Sequence, residues 1–81
     1  MINTVNADHT IIAAVPAETR GEFIVTGVSP EGQYVTWRAG LGTAHDPTAW
    51  LYVGGHYFHG KSARSEALED MLSRAGLIPE V

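Results

Sequence analysis

The chain has 81 residues and no cysteine, with nine carboxylates against five Lys and Arg for a net charge of −4. One domain of this size buries only roughly 60% of its unfolded surface, so oligomerisation is a natural support for it, and disulfides and thiolate metal sites are excluded. The five cations, Arg20, Arg38, Lys61, Arg64 and Arg74, are dispersed rather than clustered, which argues against a sequence-independent grip on nucleic acid.

No apolar run reaches the ~18 residues of a membrane span, and the first fifteen residues lack a basic leader, so a cytoplasmic protein is expected. Residues 1–8 are polar and without period, and are read as a loosely held terminus. Thr10 to Val15 is β-favouring and stops at Pro16, and the turn-like segment Pro16 to Gly21 leads to a second strand.

The next hairpin is legible in register. Ser29-Pro30-Glu31-Gly32-Gln33 places Pro at the second position of a type I turn and Gly where a positive φ is required. Pairing Ser29 with Gln33 then sets Gly27 against Val35, Val25 against Trp37 and Phe23 against Ala39 on one face. Val28 with Tyr34, Thr26 with Thr36, and Ile24 with Arg38 occupy the other. The first set is expected under a helix, with Gly27 leaving room for close approach. The second, Ile24, Tyr34, Thr36 and Arg38, is expected to be an open face suited to a partner or a second copy.

Gly40 to Thr48 reads as a long loop of the kind that carries function. A last strand runs from Ala49 to about Phe58 and is interrupted by Gly54-Gly55, which signals a bulge or bend past which the inward face switches. The sequence leaves open which of His56, Tyr57, Phe58 and His59 then point inward. From Ala63 the residues Ala63, Ala67, Leu68, Met71, Leu72 and Ala75 fall on one half of a helical wheel. Ser62 is placed as N-cap and Gly76 as the C′ residue, with Leu77 positioned for a contact back to Leu72. The sheet is thus assigned to residues 10–59 and the helix to residues 61–76. The fold class expected is α+β, a four-stranded mainly antiparallel meander with one C-terminal helix on one face.

One formal motif stands out. Gly55-His56-Tyr57-Phe58-His59-Gly60-Lys61-Ser62 matches G-x-x-x-x-G-K-[ST], the phosphate-binding signature of nucleotide hydrolases, between a strand and a helix. Its intervening residues are bulky and strand-prone, and the 19 residues after Ser62 cannot supply the remaining parallel sheet of that family. A smaller anion site survives at the helix start, where Gly60, Lys61, Ser62 and Arg64 combine free N–H groups with two cations.

A metal reading would gather His45, Asp46, His56 and His59, but residues three apart in a strand point to opposite faces, so neither metal nor cofactor is assigned. No nucleophile elbow surrounds Ser62, Ser65 or Ser73, and Glu66, Glu69 and Asp70 read as a solvated helix face, so no catalytic residue is assigned.

The strand Tyr34-Val35-Thr36-Trp37-Arg38, followed by Gly55-His56-Tyr57-Phe58 and an Ala/Leu helix, resembles small uncharacterised proteins of actinobacteria and their phages over the C-terminal half. The resemblance implies that setting and no activity. The function expected is a non-enzymatic protein-interaction domain, a homo-oligomer or a binder of a host or virion protein. The alternative is a phosphate-ligand or nucleotide binder at Gly60-Lys61-Ser62.

Overall fold

The computed structural model describes residues 1–42 and 49–78. Five strands, β1 (Val5–Asn6), β2 (His9–Pro16), β3 (Glu22–Val28), β4 (Tyr34–Leu41) and β5 (Trp50–Phe58), form one antiparallel sheet in chain order. One helix, α1 (Ala63–Arg74), packs on the sheet.

The sheet has five strands rather than four because the N-terminus is tied down. Val5 and Asn6 pair with Thr10 and His9 across a two-residue turn, Ala7-Asp8, whose residues both have positive φ (48° and 62°). That is the hairpin turn whose twist matches the flanking strands, here made without glycine. Asn3 N–H donates to the Ile11 carbonyl at 2.8 Å, and Ile11 N–H to the Thr4 carbonyl at 2.9 Å, extending the attachment.

The β3–β4 register is the one that the turn chemistry dictates. Val28 faces Tyr34, Gly27 faces Val35, and the pairing continues to Phe23 with Ala39, closed by Ser29 N–H to Gln33 carbonyl at 2.9 Å. Gly32 has φ +85° and leaves the turn there. The β5 bulge also forms: Thr36 pairs with His56 but Arg38 with Val53, so Gly54 and Gly55 together oppose Trp37. The face switch follows, with Tyr52 opposite Ala39 and Tyr57 opposite Val35 on the same side.

The helix lies on the face expected to be open. Ile24 and Thr36 are fully buried, and Ile24 packs with Met71, Ala75, Leu68 and Leu72 of the C-terminal segment. Tyr34 and Arg38 are half-buried on the same face, Arg38 paired with Glu22 at 3.1 Å. The expected interaction surface Ile24, Tyr34, Thr36 and Arg38 is therefore an interior and its border. Close packing explains the choice. The deepest positions of the C-terminal segment are Ala63, Ala67, Met71 and the C-cap Ala75, mostly small residues, and the Met71 sulfur accepts from Thr26 Oγ1 at 3.2 Å.

The opposite face closes on itself. Ile11, Val25 and Val35 are fully buried although no described helix covers them, surrounded by Met1, Ala14, Phe23, Trp37, Trp50 and Tyr52. The sheet curls into a half-barrel to do this, helped by bulges in β2 and β5. His9 of β2 and Tyr57 of β5 lie three strand spacings apart, roughly 14 Å in a flat sheet. Their rings meet at 6.2 Å, and Phe23 of β3 reaches Trp50 of β5 at 5.8 Å. Gly27 makes the slot for this: a Cβ there would lie 3.1 Å from His9 Cβ and 3.3 Å from Trp37. Room for close approach was the expected role of Gly27, but the approaching groups are His9 and Trp37, not the helix.

The helix ends as expected. Gly76 has φ +75°, its N–H donates to the Ser73 carbonyl and Leu77 N–H to the Leu72 carbonyl, a Schellman arrangement that satisfies the last carbonyls. Ser62 occupies the N-cap position but makes no side-chain capping bond; its carbonyl instead accepts from Glu66 N–H at 2.9 Å and Ser65 Oγ at 3.0 Å.

Candidate functional site

β5 is the exposed edge of the sheet, and its backbone polarity follows from the register. Ser29 and Gln33 form a hydrogen-bonded pair, so in the alternation of an antiparallel ladder the odd positions of β4 bond to β3 and its even positions face β5. Gly42 N–H donating to the Ala49 carbonyl at 2.8 Å agrees with that phase. Leu51, Val53, His56 and Phe58, opposite Gly40, Arg38, Thr36 and Tyr34, therefore turn their N–H and C=O groups into the sheet. Trp50, Tyr52 and Tyr57 turn theirs outward, where no other described strand receives them.

Apart from His56, the side chains of this edge are apolar or aromatic. None of Trp50 to Phe58 is Asp, Glu, Lys or Arg, and Leu51, Val53 and Tyr57 are 51%, 48% and 52% exposed. Edge strands are ordinarily shielded by brevity, charge, proline or a bulge. At the opposite edge β1 is two residues long; β5 spans nine and has only its bulge. Both glycines of that bulge have local reasons: Gly54 has φ +67°, and a Cβ on Gly55 would come within 2.9–3.0 Å of the Tyr57 ring and Trp37 Nε1.

Two polar chains flank the edge, one on each face. Under the helix, Thr36 Oγ1 donates to Asp70 Oδ2 at 2.5 Å, His56 Nδ1 lies 3.0 Å from the same oxygen, and Arg74 Nη1 donates to the carbonyl and Oγ1 of Thr36 at 3.0 Å each. Burial pushes the Arg74 guanidinium below its usual range; Asp70 opposes that shift and Arg38 adds to it. On the curled face, His9 Nδ1 is 2.6 Å from the Ala7 carbonyl and its Nε2 2.9 Å from Gln33, which reaches on to His59 Nε2 at 3.0 Å. Among the described residues no buried side-chain polar atom lacks a partner, so these groups hold strands and helix together. Neither chain is visible as a spacing motif, since Thr36 and Asp70 are 34 positions apart and His9 and Gln33 24.

His56 and His59 thus serve opposite faces, as their strand spacing requires. His45 and Asp46, and with them most of the expected long loop, lie outside the described residues. Among the described residues no group of three His, Asp or Glu is placed to hold a metal ion.

The G-x-x-x-x-G-K-S match does not form a phosphate cradle. His56, Tyr57 and Phe58 are extended and paired with Thr36, Val35 and Tyr34, and alternate N–H groups point to opposite edges of the strand instead of converging. Gly60 has φ +93°, and Lys61, Ser62 and Arg64 are exposed at the helix start. The hollow beside Gly60, about 260 Å³, is lined by Ser29, Glu31, Gly32, Gln33 and His59, with a carboxylate and no Lys or Arg in its lining.

Comparison with protein-family descriptions, with curated proteins and with solved structures finds no match to this chain. No described helix is long and apolar enough to cross a membrane.

Proposed function

We propose that this chain is a non-enzymatic protein-interaction domain that works by accepting a strand along the open edge of β5. The supporting observation is the edge itself: nine residues without Asp, Glu, Lys or Arg, outward N–H and C=O groups on Trp50, Tyr52 and Tyr57, and half-exposed apolar side chains on both sides of the ribbon. Strand addition draws affinity from main-chain hydrogen bonds and specificity from alternate side chains. Leu51 and Val53 on the helix side and Tyr57 on the curled side supply the latter. Among the described residues the buried polar groups are consumed in packing, whereas this edge turns backbone groups and apolar side chains outward.

The test is site-specific photo-crosslinking in cells that express the protein. A photoreactive phenylalanine analogue at position 53 should give discrete adducts, whether with another protein or with a second copy. The same analogue at Leu77, which is 59% exposed and lies past the end of α1 rather than on the strand edge, should give none above background. Equal adduct patterns at the two positions, or none at position 53, would refute the edge reading.

A further inference from the structure

Resting on that reading of the edge, we infer that the strand it accepts is the β5 of a second copy, paired antiparallel about a two-fold axis between Gly54 and Gly55. The register singles this arrangement out. In an antiparallel pair, outward-bonding residues must meet outward-bonding residues, and opposed side chains must share a face. On β5 the outward set is Trp50, Tyr52 and Tyr57, and the bulge moves the curled-face positions from even numbers before it to odd numbers after it.

A two-fold at Gly54-Gly55 satisfies both conditions along the whole strand. Tyr52 then opposes the partner's Tyr57, bonding residue to bonding residue, both on the curled face. Leu51 opposes the partner's Phe58 and Val53 opposes the partner's His56, all on the helix face. Each bulge meets the other, so the face switch of one copy is matched by its partner, and Gly54 opposite the partner's Gly55 introduces no Cβ at the axis. A two-fold at Leu51 instead pairs Trp50 with the partner's Tyr52, but it ends at the bulge and leaves Tyr57 unpaired.

Charge agrees with a self-pairing occupant. The molecule carries −4 overall, yet none of Trp50 to Phe58 is Asp, Glu, Lys or Arg, so the opposed β5 side chains set no carboxylate or Lys/Arg against its like; the cation Arg74 lies beside Gly54 on the helix face. The product is one continuous sheet with an isologous interface, in which the half-exposed Leu51, Val53 and Tyr57 are each covered by a named partner.

The absence of native cysteine permits a direct register test. Non-hydrogen-bonded pairs place Cα atoms ~4.5 Å apart, within disulfide reach. Val53→Cys and His56→Cys, made in separate chains, mixed and oxidised, should give disulfide dimers at least several-fold above either variant alone. Leu51→Cys with Phe58→Cys should behave alike, away from the bulge. Dimers from Leu51→Cys alone would overturn the register in favour of a two-fold at Leu51. No dimer in any mixture, with a monomeric wild type by sedimentation at the same concentration, would overturn self-pairing. Photo-adducts from position 53 to a different protein would in that case keep the edge reading and replace its occupant.

Discussion

Asp70 joins the helix to the sheet through a buried hydroxyl, and its removal has a calculable cost. In Asp70→Ala the Thr36 hydroxyl, fully buried, keeps the bond that it accepts from Arg74 but loses the acceptor of its own proton. An unmade bond at a buried donor costs roughly 1–3 kcal/mol. The His56 contact, made by a half-exposed ring, adds no more than about 1 kcal/mol, and better helix propensity of Ala returns roughly half that. The sum is a destabilisation of about 2 kcal/mol, a large share of what so small a domain has. Thr36→Val removes donor and hydroxyl together and leaves Arg74 its bond to the Thr36 carbonyl, so it should cost only about 1 kcal/mol.

The assay is urea unfolding followed by circular dichroism at one fixed protein concentration, because association would add to apparent stability. The double variant should cost about 1 kcal/mol less than the two single losses combined, since the second substitution finds the pair already broken. Strict additivity, or an Asp70→Ala loss under about 0.5 kcal/mol, the scale of an ordinary surface change, would refute the claim that Thr36 and Asp70 pin the helix.

Gly55→Ala should destabilise by roughly 1–3 kcal/mol, because its Cβ would meet the Tyr57 ring and Trp37 Nε1 at 2.9–3.0 Å; an altered tryptophan emission should accompany the loss, and wild-type stability would contradict the packing at the bulge. In the first turn, Ala7 and Asp8 hold positive φ, so the pair Ala7→Asn and Asp8→Gly should stabilise by about 1 kcal/mol; a lowered urea midpoint would mean that the β1–β2 hairpin is not as described. Amide NMR with ATP or GTP and Mg²⁺ should show no saturable shift at Gly60 to Arg64. A saturable shift there that Lys61→Ala abolishes would revive the phosphate reading.

The parts of the fold that rest on local chemistry are legible in the sequence. Pro30 and Gly32 determine the β3–β4 register, Gly54-Gly55 switches the face of β5, and Gly76 stops the helix. The first hairpin is hidden because its turn, Asn6-Ala7-Asp8-His9, lacks the glycine that normally marks positive φ. Alternation sorts Phe23, Val25, Val35 and Trp37 to one face and Ile24, Thr26, Thr36 and Arg38 to the other, but it carries no information on which face the helix takes.

That choice is collective. Two bulges and the slot at Gly27 curve the sheet until the larger apolar face fills itself, and the helix is left with the Thr-bearing face. A usable signal existed in the helix: Ala63, Ala67 and Ala75 are too small to cover aromatic rings and suit a close approach to Thr26 and Thr36. The same curvature decides the site. The uncharged run Trp50 to Phe58 reads equally well as a buried central strand or as an exposed edge, because composition cannot distinguish a strand covered by its own sheet from one awaiting another. Only the strand order, with β5 last and a single neighbour among the described strands, makes it an edge, and only the ladder phase shows which of its residues turn their N–H and C=O groups away from β4.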